Sequence, residues 1–430
     1  MRVRNLLSVE LTDAIAGVCA GLVLFHLGSL LVVGNIFQFA CAQISSVPDS
    51  SIQGPLIVMI LATGLLSAKM KRLSVWHILI LVSLLSYTLI VCVHLPATHN
   101  LLYAALCGLT PIALAICLPA ALNERQYKFL FWSSAVLLLS HSLINLFLIV
   151  ARAHSIFGYN VFLPHGRLIC PAWLIPYTGG LFGNPNTLAS YLMFFPAILA
   201  YLWLDTTNVL RRILIIFVAF VLCSNLALTL CRAAIFTAIL SFVPLVLFYT
   251  KHNLRKGIVL VSGLVVVTAA FLSILLCFTT LPSPFWLSGR ELIWKEIFCE
   301  LQWTGLFGTG LFGVSVHDLT PHSFIVANLA YFGWLGLISL LCALSGFFCL
   351  SWRDRSCICN PKILPITGAI AVYLVFYGNL EYVFTYPAFF SNSLGWLLIG
   401  FLCNFRSIAD RQLNTSRLTT YACQLVAHKG

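Results

Sequence analysis

Arg232 stands in Cys231-Arg232-Ala233-Ala234, with almost no polar chain around it. A guanidinium is always charged, and its planar fork matches two phosphate oxygens at once. Between two apolar runs it either snorkels to a lipid headgroup or serves as a fixed phosphate ligand. A second arginine begins Arg290-Glu291-Leu292-Ile293-Trp294-Lys295-Glu296-Ile297-Phe298. Ile293, Trp294, Ile297, Phe298 and Leu301 recur at helical spacing there, and Glu291 and Lys295 form an i,i+4 pair. The segment reads as a short amphipathic helix on a membrane surface, with Arg290 at its start as an anion ligand. His322, in Pro321-His322-Ser323-Phe324, directly precedes an apolar run. Imidazole exchanges a proton near neutral pH and suits a general base, although a lone interfacial histidine is more often structural. In Gly179-Gly180-Leu181-Phe182-Gly183-Asn184-Pro185-Asn186-Thr187, Asn184 caps a helix and Pro185 takes its first position. The free N–H groups near Asn184 and Asn186 then face an anion, or the motif is an ordinary start of a helix.

The elements that position these residues follow from composition. Of 430 residues, 60% are apolar and 8% are charged, against about 25% charged in a soluble domain. Such a chain lacks the charge to cover a water-facing surface, which excludes a soluble enzyme, a disordered chain and a disulfide scaffold. The apolar residues recur in runs of about twenty, the length of a membrane-crossing helix. The expected fold is all-α and polytopic, with spans at 13–34, 52–68, 75–95, 101–121, 129–151, 186–205, 211–230, 233–250, 257–279, 324–350, 363–380 and 388–404. The first is too long for a signal peptide and lacks a small-residue cleavage site, so it reads as an anchor. Residues 1–404 form one membrane domain, and 405–430 read as a polar tail. No internal repeat relates the halves.

Lys and Arg total 24 and Asp and Glu 12, a formal charge of +12. Placing both termini in the cytoplasm puts all but five cations on the inner side, as the positive-inside rule requires. Those inner cations fix topology and meet lipid headgroups, so the excess charge does not point to nucleic acid. The outer five are Arg152, Arg167, Arg232, Arg290 and Lys295. Two outer loops are long, 152–185 and 280–323, and the second carries the short interfacial helices. Most of the 16 cysteines lie inside spans; Cys41, Cys170 and Cys299 are outer, and a Cys170–Cys299 bridge is not the favoured reading. Cys357-Ile358-Cys359 lacks further ligands, and no zinc, P-loop or nucleophile-elbow motif is present.

One topology thus brings Arg232, Arg290 and His322 to the same face. Two arginines and a histidine at headgroup level suit a lipid that carries a pyrophosphate, with the histidine taking a proton from an attacking sugar hydroxyl. Arg167 and Lys295 are secondary candidates for phosphate contact. Tyr159, His165, Trp173 and Tyr177 of the first long loop shape the site, and Glu381 orients an arginine or the histidine.

The run GLFGNPNTLA, the CRAAI arginine, SGRELIWKEIF and GTG…PHSFIVANLAYFGWLGLISLL, in this order from Gly180 to Leu341, resemble the O-antigen ligase and polymerase superfamily of bacterial inner membranes. The resemblance implies a multi-helix glycosyltransferase with a periplasmic active site. It implies an undecaprenyl-pyrophosphate-linked glycan as donor and lipid A–core or another glycan as acceptor, without a cofactor or metal. His322 corresponds to the family's general base, and Arg232 and Arg290 to the arginines that hold the pyrophosphate. Two features depart from the pattern: Ser323 follows the histidine where Asn is common, and the 280–323 loop is compact. Ligation onto lipid A–core is the expected reaction; polymerisation and transfer to protein are the alternatives in the same class. A transporter or flippase without chemistry is the alternative outside it, and would expect charged residues near the bilayer midplane.

Overall fold

Long runs of Leu, Ile, Val and Phe become helices because a backbone in lipid must satisfy its own hydrogen bonds. The computed structural model describes residues 2–32, 48–67, 74–94, 107–151, 155–156, 159–160, 185–229, 231–253, 255–256, 258, 260, 290–300, 305–309, 323–353, 360–378 and 391–408. These are mostly helical, with short turns between helices and one antiparallel pair, β1 (Ser155–Ile156) with β2 (Tyr159–Asn160). The helices are α1 (Arg2–Val32), α2 (Pro48–Ser67), α3 (Val75–His94), α4 (Cys107–Ala121), α5 (Glu124–Ala151), α6 (Pro185–Asp205) and α7 (Val209–Leu228). They continue with α8 (Arg232–His252), α9 (Arg290–Glu300), α10 (Phe324–Arg353), α11 (Leu364–Tyr377) and α12 (391–408).

The protein is an all-α membrane protein. Among the described residues six helices, α3, α5, α6, α7, α8 and α10, are long and apolar enough to cross a bilayer. Shorter apolar stretches occupy α1, α2, α4 and α11, so the described residues show six of the expected twelve crossings at full length. Almost all of the expected span at 257–279 lies outside the described residues. The last helix extends to residue 408, four positions into the expected tail.

Burial separates central from peripheral helices. In α6, 72% of the apolar window is buried, against 28–44% in the other five long helices. The first twelve residues of α12 are all buried. Leu89 and Val93 of α3 and Phe147 and Val150 of α5 are exposed, a surface that suits lipid and would aggregate in water. Rings of Tyr127, Phe131, Tyr201 and Phe401 meet at centroid distances of 5.0 to 5.8 Å and tie α5, α6 and α12 together. At Gly400 the backbone of α12 passes so close to α4 that a Cβ would lie 2.7 Å from Ala115 Cα.

Several spans depart from a continuous α-helix. Pro196 and Pro244 each follow a break, after Leu192 in α6 and after Leu240 in α8, because proline has no N–H for the preceding turn. Six residues of α4 (Ile112–Cys117) and five of α11 (Tyr373–Tyr377) are π-helical.

Polar side chains bridge helices inside the bundle. Asn145 Nδ2 of α5 donates to Asn225 Oδ1 of α7 at 2.7 Å, and Asn225 Nδ2 donates to the Ser142 carbonyl at 3.2 Å. Tyr87 of α3 donates to Asn328 Oδ1 of α10 at 2.7 Å. His26 Nε2 of α1 lies 3.0 Å from Ser393 Oγ of α12. Such bonds are worth about 0.6 kcal/mol on average and up to about 1.7 in a membrane protein. A double-mutant cycle of Asn145→Ala and Asn225→Ala, read by unfolding in detergent, is therefore expected to give a coupling of about 1 kcal/mol. Strictly additive losses would mean that the pair does not hold α5 to α7.

Candidate functional site

Arg232 is the first residue of α8. Cys231 before it is extended (φ −74°, ψ 95°), and its N–H donates to Thr229 Oγ1 at 3.2 Å. The turn thus uses a local hydroxyl to end α7 and start α8 with hardly any loop. The Arg232 side chain is exposed and makes no ion pair among the described residues. A cation in a first turn opposes the helix dipole, which favours anions there. Local helix stability therefore does not account for Arg232.

Asn186 is in the first turn of α6, behind Pro185, and its carbonyl accepts from the Tyr377 hydroxyl at 3.5 Å. Ser323 caps α10: its buried hydroxyl accepts from the Val326 N–H at 3.3 Å. This gives Ser323 a helix-capping role. The π-turn at the end of α11 is the hub. It packs against the first half of α8, which also packs against the first half of α6. A Cβ on Gly378 would lie 2.9 Å from Phe324 Cδ1, so the end of α11 also touches the start of α10. The starts of α6 and α10 and the first half of α8 accordingly meet the end of α11.

The expected short helix forms as α9, with Ile297 fully buried and Trp294 packed on the core. Lys295, Glu296 and Phe298 are exposed. Arg290 is its first residue, a second cation at a helix start; its side chain and that of Glu291 lie outside the described residues. His322, Asn184, Arg167 and Glu381 lie outside them entirely, as does Cys170, while Cys299 is a free, exposed thiol.

One part of the long loop packs against α10. Residues 305–309 enter a break in α10, the helix expected to run unbroken over 324–350. Gly333 has φ 64° and ψ −167° and Gly308 has φ 77°. The Trp334 N–H donates to the Gly305 carbonyl at 2.9 Å, the Leu335 N–H to the Leu306 carbonyl at 3.3 Å, and the Thr309 N–H to the Ala330 carbonyl at 2.9 Å. The loop backbone thus replaces the hydrogen bonds that the break removes from α10. Nine residues separate Phe324 from Gly333, so the junction lies about 14 Å down the helix.

The convergence on α11 was not expected from the sequence. Tyr377 and Gly378 carry no motif, and the two glycines gain their meaning only from each other. Gly-Thr-Gly at 308–310 and Gly333 within an apolar run were the available signals. The chain matches no protein-family model and no curated protein.

Proposed function

We propose that the protein is a glycosyltransferase of the bacterial inner membrane that transfers a glycan from undecaprenyl pyrophosphate to an acceptor sugar on the periplasmic side. Lipid A–core is the acceptor the reading favours. The observation that carries it is the meeting of the starts of α6 and α10 with the first half of α8, which begins at an exposed arginine placed against the dipole of its own helix. The order of the four sequence motifs supports it, as does α9, which begins at Arg290.

In this reading Arg232 and Arg290 hold the pyrophosphate, with Asn186 and Lys295 as further contacts. The acceptor hydroxyl attacks the anomeric carbon of the donor while His322 takes its proton. The bond from that carbon to the pyrophosphate oxygen breaks, the electron pair leaves with the lipid pyrophosphate, and the configuration inverts. The arginines stabilise the charge as it grows on the leaving group.

Deletion in the native host, followed by lipopolysaccharide gels, tests the reading. Uncapped core with accumulated lipid-linked polymer is the expected result for a ligase. A cap of a single repeat unit would identify a polymerase instead, and an unchanged ladder with an unglycosylated protein would identify protein transfer. Complementation with His322→Ala is expected to restore the protein in the membrane but not the ladder, with transfer at least about a hundredfold down. Full complementation would remove the histidine from the mechanism.

The breaks in α6, α8 and α10 favour a second reading, a transporter or flippase, because such proteins bind substrate at interrupted helices. It predicts uptake or lipid flipping in reconstituted vesicles without any change in the glycan.

A further inference from the structure

The end of the bundle opposite Arg232 holds a cleft of about 770 Å³ between the start of α5, the 205–208 turn and the start of α7. Its polar end is lined by Arg125, Lys128, Asp205 and Arg211, and its apolar end by Phe129, Trp132 and Leu214. The two ends are ordered along the helix axes. Phe129 is one turn and Trp132 two turns beyond Arg125 on the same face of α5, and Leu214 is one turn beyond Arg211 on α7. Phe129 is 56% and Leu214 47% exposed, facing outward where a bilayer lies.

The charges here divide into two kinds. Asp205 is held from both sides, by Lys128 Nζ at 2.7 Å and Lys362 Nζ at 2.8 Å, and Lys128 also reaches Glu124 at 2.8 Å. Arg212 donates to the Thr206 carbonyl at 3.0 Å and lies over Trp203. These cations serve the protein. Arg125 and Arg211 have exposed side chains with no carboxylate partner among the described residues, and both line the cleft. The cluster keeps positive charge that its own carboxylates do not balance.

We infer that this cleft is a binding site for an anionic diacyl phospholipid. Arg125 and Arg211 hold the headgroup phosphate, and an acyl chain lies along Phe129, Trp132 and Leu214. The axial order, cations at the membrane surface and apolar rings one to two turns deeper, is the order of a lipid from headgroup to chain. A soluble phosphate would use the arginines but not the apolar wall. A zwitterionic lipid would use the wall but gains little from unbalanced cations. The site is remote from Arg232 and does not depend on the proposed transferase activity.

The test uses the full chain purified in detergent and its unfolding temperature on addition of phosphatidylglycerol, phosphatidylcholine with the same chains, or inorganic phosphate. Phosphatidylglycerol is expected to stabilise, and the other two are not. Replacing both arginines, Arg125→Ala with Arg211→Ala, is expected to raise the half-saturating phosphatidylglycerol concentration roughly thirtyfold. Lys251→Ala with Arg255→Ala removes two exposed cations outside the cleft and serves as the control, with a shift below about threefold. Equal stabilisation by phosphatidylcholine or by phosphate would overturn the inference, and so would an arginine variant that titrates like the wild type. If the alanine pair does not fold, Arg125→Gln with Arg211→Gln repeats the measurement.

Discussion

Gly333→Ala is expected to remove the folded protein from the membrane. Gly333 has a backbone conformation open essentially to glycine alone, and a side chain there costs about 1–3 kcal/mol before any contact is counted. Space is the larger obstacle. A Cβ at Gly333 would run into the Leu306 carbonyl and come within 2.5 Å of the Gly308 nitrogen, both rigid backbone atoms. Relief requires the 305–309 segment to leave the break in α10. That exposes the Trp334 and Leu335 N–H groups to lipid, where each unsatisfied group costs several kcal/mol. The total exceeds about 5 kcal/mol, the lower bound of a typical protein's whole stability. Gly308→Ala meets the same fate, because its Cβ would lie 2.5 Å from the Gly333 nitrogen. Gly17→Ala is the control: nothing lies within 4 Å of its Cβ, so it is expected to be neutral or to gain up to about 1 kcal/mol in helix propensity. Membrane accumulation and unfolding temperature in detergent separate the three. A Gly333→Ala protein that unfolds like the wild type would mean that the loop does not occupy the break.

Arg232→Ala is expected to do the reverse, leaving the fold intact and removing activity. The side chain is exposed, makes no ion pair among the described residues and opposes its own helix dipole, so its loss costs the fold little or nothing. If it holds charge growing on a leaving pyrophosphate, as proposed, its removal is expected to cost about 100- to 1000-fold in transfer. Arg232→Lys keeps the charge but loses the two-pronged geometry and falls between the two. Transfer from a lipid-linked donor, measured beside unfolding temperature, gives the answer. Undiminished transfer would exclude Arg232 from the site, and a destabilised protein would give it a structural role.

How much of this was legible in the sequence depended on whether the cause was local. Asn145, Asn225 and Asn328 were visible as polar residues in apolar runs, but which would meet which was not, because a pair 80 positions apart is chosen by helix packing. Asp205 was readable as a charge at a span end; its grip on Lys128 and Lys362 depends on three chain turns meeting. Arg125 and Arg211 looked the same as the other inner cations. They became distinct only when Lys128, Arg212 and Lys362 close to them proved to have partners. The start of α8 at Arg232 and the helix beginning at Arg290 were legible because capping, spacing and apolar periodicity act within a few residues.

The sequence by itself determined the solvent and the secondary structure. A chain with so little charge has only lipid to face, and in lipid a backbone closes its hydrogen bonds as helices. Tertiary structure alone decided where those helices are interrupted, which of them occupy the centre and which of their ends meet. A loop satisfies the break in α10 only by arriving there from elsewhere in the chain, and the end of α11 becomes a hub only because parts of α6, α8 and α10 pack on it. Apolar runs carry no record of such meetings, since lipid and protein interior reward the same side chains.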